Sequence, residues 1–161
     1  MTNIPNASPR TPAYLAGLLL AGRVVVVVGG GRVAKRRVPK LLQAGALVTI
    51  VSPVLHPDLA GFADTGRITW RERVFTASDL DGAWYVIAAT DSARVNADVA
   101  AEAEVRHTFC VRADRAEAGS AWTPATGIVE DAVVAVLTDH DPRRAKELRD
   151  RVVEALGGGP G

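Results

Sequence analysis

The run Arg23-Val24-Val25-Val26-Val27-Val28-Gly29-Gly30-Gly31-Arg32-Val33-Ala34 constrains the fold more than any other part of the chain. Five β-branched residues in succession favour an extended strand. A strand apolar on both faces belongs at the centre of a parallel sheet with helices on both sides. Three glycines follow at once, then a segment able to form a helix. Read as G-x-G-x-x-A, the pattern puts Gly29, Gly31 and Ala34 at a strand–turn–helix corner. In such a corner the first glycine makes the turn and the second lets backbone approach a pyrophosphate. The small third residue lets the helix pack on the strand. Anion affinity comes from unpaired backbone N–H groups and the positive end of the helix dipole. Any tight turn favours glycine, but this position between a valine strand and a helix points to a dinucleotide. Gly29, Gly30 and Gly31 are the candidate phosphate contacts.

The rest of the composition sets bounds. A chain of 161 residues suits one domain, or one domain plus a fragment. At 48 % hydrophobic it can bury a substantial core, and a net charge of +1 gives no bulk field for nucleic acid or a membrane surface. A single cysteine, Cys110, leaves no internal disulfide and fits a reducing compartment, hence a cytoplasmic setting. No apolar run approaches the ~20 residues of a membrane span. The longest, Tyr14 to Val28, is broken by Gly17, Gly22 and Arg23. Residues 1–12, with Pro5, Pro9 and Pro12, read as a disordered lead-in rather than a targeting peptide.

Hydrophobic patterning predicts an α/β fold: a Rossmann-like, doubly wound, mostly parallel sheet, followed by a β-hairpin and a C-terminal helix. Tyr14 to Ala21 reads as a short apolar piece packing on the sheet edge. The first strand spans Val24 to Val28, and the helix after it runs from Arg32 to Ala44, stopped by Gly45. Pro39 lies inside that helix and predicts a kink or a later start. Ala46 to Val51 is a second buried strand, Pro57 opens a short helix that Gly66 ends, and Ile68 to Val74 alternates like an edge strand. Trp84 to Ala89 is a central strand, Ser92 to Ala103 a helix and Thr108 to Val111 a strand. Beyond them, two strands joined at Glu130-Asp131 form a hairpin, and Asp141-Pro142 opens a last helix ending near Leu156. The layout divides into a nucleotide-binding unit at 13–113, a hairpin-plus-helix unit at 114–156 that is a candidate dimerisation segment, and a flexible tail at 157–161.

The second strand ends Val51-Ser52-Pro53 without the acid that often bonds a ribose 2′-hydroxyl. Ser52 can make that bond instead. No arginine follows to favour a 2′-phosphate, so NAD stands ahead of NADP. The central strand ends Ala89-Thr90-Asp91 at the carboxyl edge where ligands of such sheets bind. Thr90 and Asp91 are therefore candidates to line the cleft. Alternatively, Asp91 or Ser92 caps the next helix.

Gly29-Gly30-Gly31-Arg32-Val33-Ala34, Val51-Ser52-Pro53, Ile87-Ala88-Ala89-Thr90-Asp91, Val95-Asn96 and Phe109-Cys110-Val111-Arg112-Ala113-Asp114 occur in order. Ser120 and Pro124 follow, then a hairpin ending Val134-Ala135-Val136. Together these resemble the N-terminal module of the siroheme synthase family, the precorrin-2 dehydrogenase/sirohydrochlorin ferrochelatase module, over residues 13 to 156. The resemblance implies oxidation of precorrin-2 to sirohydrochlorin with NAD⁺ as hydride acceptor. In many members it also implies insertion of Fe²⁺. It carries cofactor contacts onto Arg32, Val33, Pro53, Val54 and Thr90, and the carboxylate thought to serve both reactions onto Asp114.

The residues themselves allow that role. Asp114 follows a strand at the catalytic edge, and a carboxylate there can take the proton that leaves with the hydride. Equally, it can be a loop aspartate bonding its own backbone or pairing with Arg112 or Arg115. Arginine matches the carboxylates of such a substrate, which makes Arg112 and Arg115 candidates, with Arg143 and Arg144 behind them. Ser120 and Thr138 are the hydroxyl candidates.

The family's Ser/Gly/Thr-rich loop is here Leu137-Thr138-Asp139-His140-Asp141-Pro142. Its carboxylates would repel an anionic substrate. His140 between two acids reads either as a weak Fe²⁺ site or as a solvent-exposed loop histidine. The competing function is a nucleotide-binding regulatory module without chemistry. A short-chain dehydrogenase is excluded, because neither Tyr14 nor Tyr85 has a lysine four residues on.

Overall fold

The computed structural model describes residues 13–139 and 141–158. The elements run β1 (Val24–Val28), α1 (Arg32–Gln43), β2 (Leu47–Val51), α2 (Pro57–Asp64), β3 (Ile68–Arg71), β4 (Tyr85–Ala88), α3 (Ala93–Val105) and β5 (Phe109–Arg112). Then come β6 (Ala125–Val129), β7 (Ala132–Val136) and α4 (Pro142–Ala155). The first five strands form one parallel sheet in the order β3-β2-β1-β4-β5. The order reverses between β1 and β4, and ligands of open α/β sheets bind in the crevice at such a switch point.

The valine run does what its composition demands. Val25 to Val28 are all 1 % exposed or less. Val25 and Val27 pack under α1 and α2 with Ala34, Val38, Leu41 and Leu59. Val26 and Val28 pack on the other face with Val99 and Ala103 of α3. Each such side chain contributes about 1.5–3 kcal/mol on burial. The cofactor corner therefore leaves a strand enclosed on both faces.

All four helices end alike. The residue after each cap turns left-handed, its N–H bonds back three residues, and the next N–H bonds back five. Glycine fills that position after α1, α2 and α4 (Gly45, Gly66, Gly157), while His107 fills it after α3 at φ +52°.

Several boundaries differ from the sequence expectation. α1 begins at Arg32 and holds Pro39 in its interior, so there is no delayed start. Val38 and Leu41, buried on either side of the proline, anchor the helix through the missing backbone bond. β3 stops at Arg71 rather than Val74: the Arg73 N–H turns back to the Arg71 carbonyl, and both guanidinium groups close on Asp79. Asp79 belongs to a 3₁₀ turn, Ala77–Leu80, that periodicity did not show. The segment from Tyr14 to Ala21 forms no strand. Only Leu20 joins the core, while Tyr14 and Leu19 project outward.

β6 and β7 pair as a hairpin across Glu130-Asp131, with Glu130 left-handed at φ +54°. α4 packs against this hairpin rather than on the main sheet. Gly127 permits the approach, since a Cβ there would lie 2.6 Å from Val153 Cγ2. Arg149 of α4 donates to the Thr126 carbonyl. Residues 1–12, His140 and 159–161 lie outside the described residues. So do the expected lead-in, most of the expected tail and the His140 iron site.

Candidate active site

Three glycines leave β1, and each meets different surroundings. Gly29 sits at φ +111°, where a Cβ would lie 2.3 Å from the Ala89 carbonyl oxygen. At Gly30 a Cβ would lie 2.2 Å from the Val54 carbonyl oxygen and 3.1 Å from the Ser52 side chain. Its own carbonyl accepts from His56 N–H at 2.7 Å. The first two glycines thus clamp the turn against the ends of β4 and β2. Gly31 is different, because a Cβ there meets nothing within 4 Å. It is the N-cap of α1, no side chain caps the helix, and no acid occupies the first turn.

Those features fit a dinucleotide. The open space at Gly31 faces uncapped helix N–H groups that carry the positive end of the dipole. Arg32 and Val33 are the first residues of α1 beside them. Ser52, nearly buried, ends β2 against Gly30, with its N–H on the Arg71 carbonyl and its own carbonyl accepting from Trp70 Nε1 at 2.9 Å. Pro53 and Val54 continue from it in the exposed loop above Gly30. Arg71, whose carbonyl accepts from Ser52, and Arg73 beyond β3 are both held by Asp79, at 2.6 Å each.

On the other side of the switch point, Thr90 lies two residues past β4. Its N–H and Oγ1 both donate to Asn96 Oδ1, at 2.9 and 2.8 Å, and Asn96 Nδ2 donates to the Thr90 carbonyl at 3.0 Å. Ser92, not Asp91, caps α3, accepting from Val95 N–H. Asp91 remains exposed at the mouth.

Asp114 lies two residues past β5 with its side chain 27 % exposed. Arg112 holds it by two bonds, and the buried Arg112 guanidinium also donates to the Ala93 carbonyl at 3.3 Å. The guanidinium beside it is the main reason the Asp114 carboxyl lies below the usual carboxylate range, with a smaller lowering from nearby Asn96. Asn96 thus braces Thr90 through three hydrogen bonds. It is fully buried in the first turns of α3. Its signal in the sequence was a poor helix former at a position that must face the core.

The remaining candidates are engaged locally. Arg115 lies 3.6 Å from Glu117. Ser120 Oγ accepts from Cys110 N–H at 2.9 Å, and the Ser120 and Ala121 N–H groups bond the Cys110 carbonyl, which lays this segment along β5. Thr138 Oγ1 donates to the Asp141 carbonyl. Arg143 and Arg144 give their N–H groups to Asp141 Oδ1, which caps α4. Of the candidate arginines, Arg112 is committed to Asp114, while Arg143 and Arg144 lie in the opening turn of α4.

A family described as putative NAD(P)-binding matches residues 17–125. A precorrin-2 dehydrogenase of Bacillus subtilis is 34 % identical over 140 residues, covering 86 % of this chain and 86 % of that protein. A siroheme synthase of Methylobacillus flagellatus is 42 % identical over 134 residues, covering 83 % of this chain and 29 % of that protein. The chain thus spans less than a third of the siroheme synthases it matches. Among solved structures, SirC, a precorrin-2 dehydrogenase, aligns with a TM-score of 0.79 and 26 % identity over 89 % of this chain and 71 % of that one.

Proposed function

This chain belongs to the NAD(P)-binding family of precorrin-2 dehydrogenases, and on that premise we propose that it oxidises precorrin-2 to sirohydrochlorin with NAD⁺. The observation that carries the reading is the juxtaposition at the switch point. The uncapped start of α1, open at Gly31, follows β1, and an ionised Asp114 follows β5. The end of β4 joins them, since Gly29 abuts Ala89 and the Ala113 N–H bonds the Ala88 carbonyl.

The bound nucleotide would supply the hydride-accepting nicotinamide carbon. The protein supplies the rest. The N–H groups at the start of α1 hold the diphosphate, with Gly31 leaving room for it and Arg32 adding charge. Ser52 Oγ offers a bond to a ribose hydroxyl. Thr90, braced by Asn96, forms the wall of the cleft at the end of β4. Asp114 takes the proton that leaves the macrocycle as its hydride departs, then passes it to water. Arg112 keeps that carboxylate ionised and oriented. Insertion of Fe²⁺ into the product would use the same carboxylate to accept pyrrole N–H protons, the metal arriving as substrate.

The hairpin and α4 carry a candidate homodimer surface. Ile128 and Val133 pair across the hairpin and are 74 % and 68 % exposed, and Val152 on α4 and Leu156 at its C-cap are exposed. Light scattering of the pure protein tests it.

The deciding experiment is precorrin-2 plus NAD⁺ with the purified protein, followed by NADH absorbance. NADH formation that Asp114→Ala abolishes, with NAD⁺ affinity kept, supports the reading. Absence of turnover with intact NAD⁺ binding favours the regulatory alternative. Adding Fe²⁺ to the same cuvette tests chelation.

A further inference from the structure

A second feature of α1 points away from the phosphates. Val33, Arg36, Arg37 and Lys40 recur at i, i+3, i+4 and i+7, which places them on one face of the helix. Such a stripe normally faces water. Here it lines a cleft of about 550 Å³ between α1 and the hairpin–α4 unit, with Lys146 of α4 on the opposite wall. Among the described residues, Arg36, Arg37, Lys40 and Lys146 make no ion pair. Asp141 is the one acid in the lining, and its carboxylate is already taken by the N–H groups of Arg143 and Arg144. Burial and the like charge of Arg36 lower the affinity of Arg37 for its proton, a cost that a bound anion would relieve.

Arg112, Arg149 and three threonines also line it, and the apolar part of the wall is Ile87, Val111, Trp122 and Leu137 among others. At one end the cleft reaches Val33, beside the glycine corner, and it also touches Ala113, the neighbour of Asp114. A flat apolar ring with carboxylates on its rim has this same division of chemistry. We infer that Arg36, Arg37 and Lys40, with Lys146 across the cleft, bind the rim carboxylates of the tetrapyrrole and so set its position. The inference rests on the dehydrogenase reading and adds residues to it. Arg112, whose guanidinium is committed to Asp114, is thereby joined by cations that make no ion pair. Apolar side chains receive the ring face, and the long cationic side chains follow the rim.

The test uses sirohydrochlorin as probe, titrated by absorbance into the whole chain and into the triple variant R36Q/R37Q/K40Q. The expected result is a Kd raised about tenfold or more, with a shallower salt dependence, because screened charge contacts are lost. NAD⁺ affinity should stay within about twofold, since the glycine corner is untouched. With precorrin-2, KM should rise while kcat changes little. The charge-preserving R36K/R37K should regain most of the affinity. Unchanged sirohydrochlorin affinity in the triple variant overturns the inference while leaving the dehydrogenase reading in place. So does failure of R36K/R37K to restore a loss shared with NAD⁺ binding. Wild-type protein that neither binds nor oxidises a tetrapyrrole overturns the dehydrogenase reading itself.

Discussion

Arg112 grips Asp114 through two bonds, Nη2 to Oδ2 at 2.6 Å and Nε to Oδ1 at 3.2 Å, from a position only 8 % exposed. A neighbouring guanidinium favours the ionised carboxylate, so Asp114 stays a base at lower pH than an ordinary aspartate. The sign follows directly. In Arg112→Gln the carboxyl should move back up towards the ordinary value near 4. The acid limb of kcat/KM for precorrin-2 oxidation then shifts to higher pH. Superimposable acid limbs in wild type and variant would separate Arg112 from the base.

The three glycines should respond differently to a methyl group. Gly31→Ala places Cβ in open space and should fold normally, but the methyl enters the room left for a diphosphate. NAD⁺ affinity should fall about tenfold, or about 1.4 kcal/mol. Gly29→Ala forces a left-handed alanine against the Ala89 carbonyl and should lose about 2 kcal/mol or more of stability. Thermal melts with and without NAD⁺ resolve the pair. A Gly31→Ala protein with wild-type NAD⁺ affinity would move the phosphates elsewhere.

Asp79 makes no proposed contact with ligand, yet it should be among the most sensitive acids in the chain. Its side chain is fully buried and is held by Arg71, Arg73 and Thr76. Those bonds keep its carboxyl far below the usual range. Removing one member of such a buried cluster costs about 2–4 kcal/mol, so Asp79→Asn should lower Tm by several degrees at neutral pH. The folded carboxyl titrates lower than the unfolded one. Its contribution is therefore complete above pH ~4 and shrinks as pH falls through the folded value. The gap in stability between wild type and Asp79→Asn, measured by denaturant melts, should narrow on acidification.

His107 holds a left-handed conformation that costs a non-glycine residue about 1 kcal/mol. His107→Gly should raise stability by about 0.5–1 kcal/mol, in contrast to the usual effect of introducing glycine. A lowered denaturation midpoint would show that the imidazole makes a compensating contact.

What was legible in the chain was local. The valine strand, the glycine corner and the hairpin turn each follow from the conformations that a few neighbouring residues allow. The switch point follows in turn from β–α alternation. What stayed hidden depends on which distant residue arrives opposite. In the chain Arg112 reads as either a substrate contact or a partner of Asp114, and only β5 and α3 show its guanidinium closed onto Asp114 and the Ala93 carbonyl. Asn96 stands in the chain as part of an ordered motif, but its partner Thr90 shows only once the strand end is folded over it. The cations at 36, 37 and 40 look like an ordinary solvated stripe. Only the return of the chain through the hairpin and α4 gives that stripe a facing wall.

The enclosure of β1 has one more consequence. Val25 to Val28 are gripped from above and below, so the strand can neither roll about its axis nor slide without opening both layers. Peptide groups at its exit inherit that fixity and act as a rigid anvil. Trimming a methyl deep inside, as in Val27→Ala, would therefore register at the far end of the strand as a loosened grip on its guest.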